Sequence, residues 1–207
     1  PPLAYAAARI GGGSEVLGFD TAMSMDHDWG PTVILFLNDE NPELHEHVRK
    51  TLRESLPETF RGFPVWRNPG DDPDHRHHAV FVTTCCDYFQ TQLNHNISQP
   101  LALADWLTIS SQHLLEATAG AVFYDGVGEI GRIRQSLTWY PDQIWRYLLA
   151  AGWERIGQED HLMCRAGYVG DELGASIIAA RLVRDIISLC FLMERRFSPY
   201  AKWFGSA

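Results

Sequence analysis

Gly13-Ser14 is followed, after eleven intervening residues, by Asp26-His27-Asp28-Trp29, and these residue types at this spacing suit the handling of a phosphate and a metal. A glycine-led turn lets backbone N–H groups close on a phosphate, because no Cβ holds the ligand away. Acids spaced i, i+2 on a strand share a face, since side chains alternate along it. Asp26 and Asp28 on one face beside a phosphate cradle suit Mg2+, a hard cation that takes oxygen ligands and substrate phosphates. The combination points to nucleotidyl transfer. His27, between the acids, faces away from them and reads as a hydrogen-bonding residue of the core or strand, a phosphate contact being the alternative.

To hold these groups the first half of the chain reads as mixed α/β. Ala6 to Ile10 is a small apolar run, Gly11-Gly12-Gly13-Ser14 a turn, and Val16-Leu17-Gly18-Phe19 an extended continuation. Trp29-Gly30-Pro31 leads into Thr32-Val33-Ile34-Leu35-Phe36-Leu37, a continuous apolar run of the kind a buried strand shows. Asn41 as N-cap and Pro42 at the first helical position start a helix. It runs to about Ser55, before Pro57, with Leu44, Val48, Leu52 and Leu56 on one face. Asn68 to Asp74 carries Pro, Gly and Asp and reads as a surface loop. A strand follows at Ala79–Thr84, with Val80 and Val82 facing one way and Phe81 the other.

After Pro100 the pattern is helical. Leu103 to Ala119 reads as one helix, Tyr140-Pro141-Asp142 opens another, and Gly170-Asp171-Glu172 precedes a long one stopped near Phe197 by Ser198-Pro199. The stretch from Ile177 to Phe197 is broken by Arg181, Arg184, Asp185 and Glu194, which fits a buried helix and not a membrane span. The expected fold is α+β: a small mixed twisted sheet in residues 1–98, then an all-helical domain in residues 99–207.

Composition narrows the function classes. The chain has 207 residues, 45% apolar and 21% charged, with seven Trp and ten Phe, enough for a sizeable and largely aromatic core. Its 17 basic and 26 acidic residues give a net charge of −9, and no basic stripe runs along it, so neither a nucleic-acid partner nor a membrane is expected. The four cysteines, Cys85, Cys86, Cys164 and Cys190, form no Cys-x-x-Cys and read as free thiols of a reducing cytoplasm. No signal-peptide pattern is visible.

The pattern of Gly13-Ser14 and Asp26-x-Asp28 resembles the signature of the DNA polymerase β-like nucleotidyltransferase superfamily. More closely, Gly13-Ser14-Glu15-Val16-Leu17-Gly18-Phe19-Asp20 and Asp26-His27-Asp28-Trp29-Gly30-Pro31 are similar to an uncharacterised bacterial family of nucleotidyltransferase-like proteins. The likeness continues through Phe60-Arg61-Gly62, Tyr140-Pro141, Gly157-Gln158-Glu159, Arg181-Leu182-Val183-Arg184-Asp185 and Pro199-Tyr200-Ala201-Lys202-Trp203. The resemblance implies a first domain that holds nucleotide and metal, with the acceptor in a cleft beside the helical domain. Asp26 and Asp28 would hold one or two Mg2+ ions, Gly13 and Ser14 would bind the β- and γ-phosphates of a nucleoside triphosphate such as ATP, and Lys202 and Arg184 (or Arg181) would reach phosphate from the helices.

One position departs from that pattern. Superfamily enzymes take a third carboxylate from a later strand, and here the matching strand carries Phe81, which neither binds Mg2+ nor accepts a proton. Asp87 lies past the strand end and would need a bend to serve; Glu15 or Glu172 would otherwise have to reach in. The first expectation is therefore a Mg2+-dependent nucleotidyltransferase moving a nucleoside monophosphate to a hydroxyl of a small-molecule acceptor, with a homodimer admitted. The alternatives are a nucleotide-binding pseudoenzyme acting as sensor or scaffold, and an antitoxin-like enzyme that modifies a partner protein. Plainer readings stand beside these roles: Arg184 and Asp185 as a buried ion pair, Glu172 as a first-turn acid favoured by the helix dipole, Lys202 as a solvated lysine. His75, His77 and His78 match no zinc-site spacing and read as a solvated loop.

Overall fold

The computed structural model describes residues 3–25, 29–67 and 77–207. Strand β1 spans Tyr5–Arg9, and its alanines Ala6 and Ala8 have no exposed surface; small side chains there leave room for the bulk of Phe36 across the ladder. The Gly13 carbonyl then accepts the N–H groups of Val16 (3.2 Å) and Leu17 (3.3 Å). The segment expected to be extended from Val16 therefore starts as a one-turn helix, α1 (Ser14–Leu17), closed by Gly18 at φ +79°. A 3-10 turn at Ala22–Met25 follows.

Strand β2 (Val33–Leu37) and helix α2 (Pro42–Ser55) form where the residue types place them. Asn41 Oδ1 accepts the Glu43 N–H at 2.9 Å and Pro42 fills the first helical position. Two small ladders come next: β3 (Thr59–Phe60) with β4 (Phe63–Pro64), and β5 (Trp66–Arg67) with β6 (His77–His78). His77 and His78, expected in a solvated loop, are thus a short strand. The His78 ring meets Trp66 at 5.5 Å, its Nδ1 accepts the Val80 N–H at 3.2 Å, and burial pushes its pKa down. The loop expected at Asn68 to Asp74, and His75, lie outside the described residues.

Strand β7 (Val80–Thr84) runs parallel to β2, with Val82 and Thr84 buried and Phe81 exposed. It passes without a loop into α3 (Cys85–Leu93), because Thr84 Oγ1 accepts the Asp87 N–H at 3.0 Å and caps the helix. The helix expected over Leu103 to Ala119 is two pieces, α4 (Asp105–Thr108) and α5 (Ser111–Thr118). Ile109 is extended and buried, and Ser110 Oγ accepts the His113 N–H at 3.1 Å, so the hydroxyl starts a new helix. Arg134 then donates to the carbonyls of Thr118 and Ala119, which a helix end leaves without partners.

Strand β8 (Ala121–Asp125) lies in the segment read as helical. It pairs antiparallel with β1, giving one mixed sheet in the order β7-β2-β1-β8. Helix α6 (Glu129–Ser136) adds Ile130 and Ile133 to the core beside Phe36 and Phe89. The chain ends in α7 (Asp142–Tyr168), α8 (Glu172–Met193) and a 3-10 turn at Ala201–Trp203. The fold is α+β, a small mixed sheet with a helical C-terminal region.

By its contacts the chain divides into two units: Pro1–Pro100 with Glu116–Leu137, and Leu101–Leu115 with Thr138–Ala207. In the second, α7 and α8 lie antiparallel: Trp145 Nε1 donates to the Leu192 carbonyl at 2.7 Å, Arg155 reaches Asp185 at 3.7 Å, and Arg181 pairs with Glu159. Helix α8 stops at Met193, four residues before the expected Phe197. Arg195 takes φ +54°, and the N–H groups of Arg195 and Arg196 turn back to the carbonyls of Leu192 and Phe191, a left-handed stop that closes the helix. Phe197 instead packs with Trp139 (4.8 Å) and Tyr140 (5.1 Å). Among the described residues no helix is long and apolar enough to cross a membrane.

Two outcomes test this packing. Gly120 takes φ +76°, and a Cβ there would fall on the Arg9 carbonyl oxygen. Gly120→Ala is expected to cost about 1–3 kcal/mol or more in urea unfolding; an unchanged midpoint would contradict the β1–β8 junction. Burial, then the nearby Glu129 carboxylate, pushes the Cys85 thiol up to about 12. Since the thiolate is the reactive form, iodoacetamide at pH 8 should label exposed Cys164 and Cys190 and spare Cys85, as read by peptide mass mapping of the native protein.

Candidate functional site

The turn after β1 is shaped by one guanidinium. Arg9 donates from Nη1 to the Ile10 carbonyl and from Nη2 to the Gly12 carbonyl, each at 3.0 Å, and pairs with Glu15. The Gly11 N–H is held by the Glu116 carbonyl at 2.9 Å, and Ser14 Oγ donates to Asp20 Oδ1 at 2.7 Å. Gly11 and Gly13 sit at φ +94° and +134°, where side-chain-bearing residues are strained. A Cβ on Gly13 would also run into the Glu15 carboxylate and come within 2.8 Å of Arg9 Nη2. Glu15, one of the carboxylates expected to reach a metal site in place of Phe81, is instead paired with Arg9.

Gly11 and Gly12 border a cavity of about 730 Å³ whose walls come from β7, α2 and α3. Phe81 stands in this wall, 56% exposed in the middle of β7 and in register with Ile34 of β2. The residue there is aromatic where a carboxylate was sought. The carboxylate in the lining is Asp87, which reaches it because the strand turns straight into α3. The bend that Asp87 needed is therefore built into the strand-to-helix junction, and the Thr84-x-x-Asp87 spacing of a helix start was the signal for it.

The cavity's chemistry is mixed. Among the described residues Arg9, Arg49 and Arg53 line it together with the acid Asp87, and each guanidinium also has a carboxylate outside the lining, Glu15 for Arg9 and Glu46 for Arg49 and Arg53. Arg49 Nη2 donates to the Val82 carbonyl at 3.1 Å on the sheet's edge strand, and Arg53 pairs with Glu46 at 2.6 Å, which holds the Glu46 carboxyl below its ordinary value. Burial raises the Tyr88 phenol to about 12, so at neutral pH it is a hydroxyl and not a base. Its ring packs against Phe36 (5.4 Å) and Phe89 (5.3 Å), and its hydroxyl occupies the space beside Gly11, 2.5 Å from where a Cβ would stand. The arginines of α2 gave no sequence signal beyond their i, i+4 spacing, because nothing local tells which face of α2 borders a cavity.

Asp26, His27 and Asp28 lie outside the described residues. In the helical unit, Glu172 is the first residue of α8 and Arg184 stands twelve residues on, about 18 Å along the axis, so the two do not converge. Arg184 Nη2 lies 3.2 Å from Asp185, which is buried and also approached by Arg155. Lys202 Nζ lies 4.8 Å over the Trp203 ring. Among the described residues no group of three His, Cys, Asp or Glu is placed to hold a metal ion.

Residues 106–204 match the family described as Domain of unknown function (DUF4037). The match takes in α4 to α8 and the turn at Ala201–Trp203, and leaves out β1, the glycine turn, β2 and β7. No curated protein and no solved structure matches the chain.

Proposed function

We propose that the first unit binds a Mg2+–nucleoside triphosphate at the Gly11–Ser14 turn, and that the chain transfers the nucleoside monophosphate to a hydroxyl of a small-molecule acceptor. The observation that carries this reading is a turn with Gly11 and Gly13 at positive φ, leaving β1 of a mixed sheet and bordering a cavity lined by three arginines. Backbone N–H groups of such a turn suit the β- and γ-phosphates, and the Ser14 hydroxyl would join them by leaving Asp20. The donor types fit Mg2+, since Asp26 and Asp28 offer oxygen alone. Asp26 and Asp28 would hold the ion, which offsets charge on the triphosphate. Asp87 would take the proton of the acceptor hydroxyl as its oxygen bonds to the α-phosphorus and pyrophosphate departs.

A second reading, a nucleotide-binding pseudoenzyme, draws on Phe81 standing exposed in the wall where a carboxylate was sought. Asp87 separates the two. Calorimetry with ATP and GTP, in Mg2+ and in EDTA, is expected to show metal-dependent binding that Asp26→Asn with Asp28→Asn abolishes in a folded protein; binding that persists unchanged would refute the metal assignment. With a turnover assay in hand, Asp87→Asn should lower the rate about 10²–10⁴-fold and leave nucleotide affinity unchanged. Absence of pyrophosphate release across a panel of acceptors, with binding intact, would favour the pseudoenzyme.

A further inference from the structure

We infer that Phe81 is the stacking wall for the nucleobase, an inference that rests on the nucleotide reading above and gives the residue a binding role. Phe81 is a large apolar side chain left 56% exposed at the centre of a five-residue strand. Ile34, in register with it, and Val82, beside it along the strand, are buried, and Val80 on its other side is half-buried. Several aromatic rings of this unit have ring partners, Tyr88 with Phe36 and Phe89, and Trp29 with Phe63; Phe60 and Phe123 are exposed as Phe81 is, but neither lines the cavity. Among the described residues Phe81 has no ring partner. An exposed aromatic facing a cavity offers a π-face to a planar ring, and stacking of a base on such a side chain adds substantially to affinity while tolerating any base.

The cavity itself argues that ring and phosphate belong to one ligand. Its lining runs from Phe81 to Gly11 and Gly12, and its volume of about 730 Å³ falls within the range of about 300–1,000 Å³ usual for small-molecule sites. Phe81 of β7 and the turn that leaves β1 stand two strands apart in the sheet, so a ring on the one and an anionic chain on the other describe a nucleotide. Thr91 and Gln92 supply polar groups to the lining. The Gln92 amide nitrogen donates to Glu116 Oε2 at 2.6 Å.

The test compares ATP and GTP with inorganic tripolyphosphate, a probe that carries the anionic chain and no ring, all in Mg2+. Phe81→Ala is expected to weaken both nucleotides about 5- to 150-fold and to leave tripolyphosphate unchanged. Phe81→Trp, which keeps an aromatic face, should hold nucleotide affinity near that of the unaltered protein, and its added fluorescence should be quenched by ATP and not by tripolyphosphate. Phe81→Leu keeps apolar bulk without a ring and should behave as the alanine variant does, which separates stacking from packing. Equal losses for nucleotide and tripolyphosphate, or full ATP affinity in Phe81→Ala, would overturn the stacking role. If ATP binding is also lost in the Asp26→Asn, Asp28→Asn protein, that second result sinks this inference alone and leaves the nucleotide site standing. No ATP binding by the unaltered protein would sink both.

Discussion

A guanidinium that is four-fifths covered must find hydrogen-bond acceptors, and at the end of β1 the acceptors Arg9 finds are the turn itself. Drawing the Ile10 and Gly12 carbonyls to one side chain fixes the path of three successive glycines that alone would be the most mobile backbone in the unit. The same residue acts through its main chain, because the Arg9 carbonyl abuts Gly120 and admits no Cβ there. One arginine thus ties the shape of the glycine turn to the point where β8 enters the sheet. The geometry of the candidate site is in this sense a by-product of how the sheet is closed.

The helical unit solves a different problem, that of two long helices with few neighbours. Buried apolar residues along α8 are sparse, Leu182, Leu189 and Phe191 among them, and Asp185 is buried on the same helix. A carboxylate in that setting costs several kcal/mol unless paired, and Arg155 from α7 and Arg184 from α8 both approach it. Pairing across the two helices, with Arg181 on Glu159 and Trp145 on the Leu192 carbonyl, sets the register that apolar contact alone would leave loose. Arg184 itself pairs with its neighbour on the same helix, and its side chain is 61% exposed while that of Asp185 is buried.

Where local chemistry decides a feature, the sequence announces it. Asn41-Pro42 opens α2 and Asp171 caps α8, its Oδ1 accepting the Gly174 N–H at 2.8 Å; both follow from capping rules that need no tertiary information. Where distant partners decide, the sequence is mute. Val122 to Tyr124 of β8 has the residue types of a strand and glycines on either side, but its faces do not alternate in burial, so no period of two marks it. The break at Ile109 depends on that side chain being drawn into the core and the left-handed stop at Arg195 on the closure of α8, neither of which a helical pattern contains. At the site, Gly13-Ser14 was legible because a turn needs those types, whereas Arg49, Asp87 and Tyr88 meet at one cavity only through the crossover that lays α2 and α3 beside β7.

The chain passes between its two units three times, since Glu116–Leu137 returns to the first before the long helices begin. A fragment cut at residue 100 would thus be an incomplete object: β1 would present a bare hydrogen-bonding edge in place of β8, and the core would lose Ile130, Ile133 and Leu137 together. Unpaired edges of this kind recruit other strands, so such a fragment would be prone to self-association. The sheet and its glycine turn are heritable only as a discontinuous piece, and any shuffling of this unit into another protein would have to carry the helical sequence through which its last strand returns.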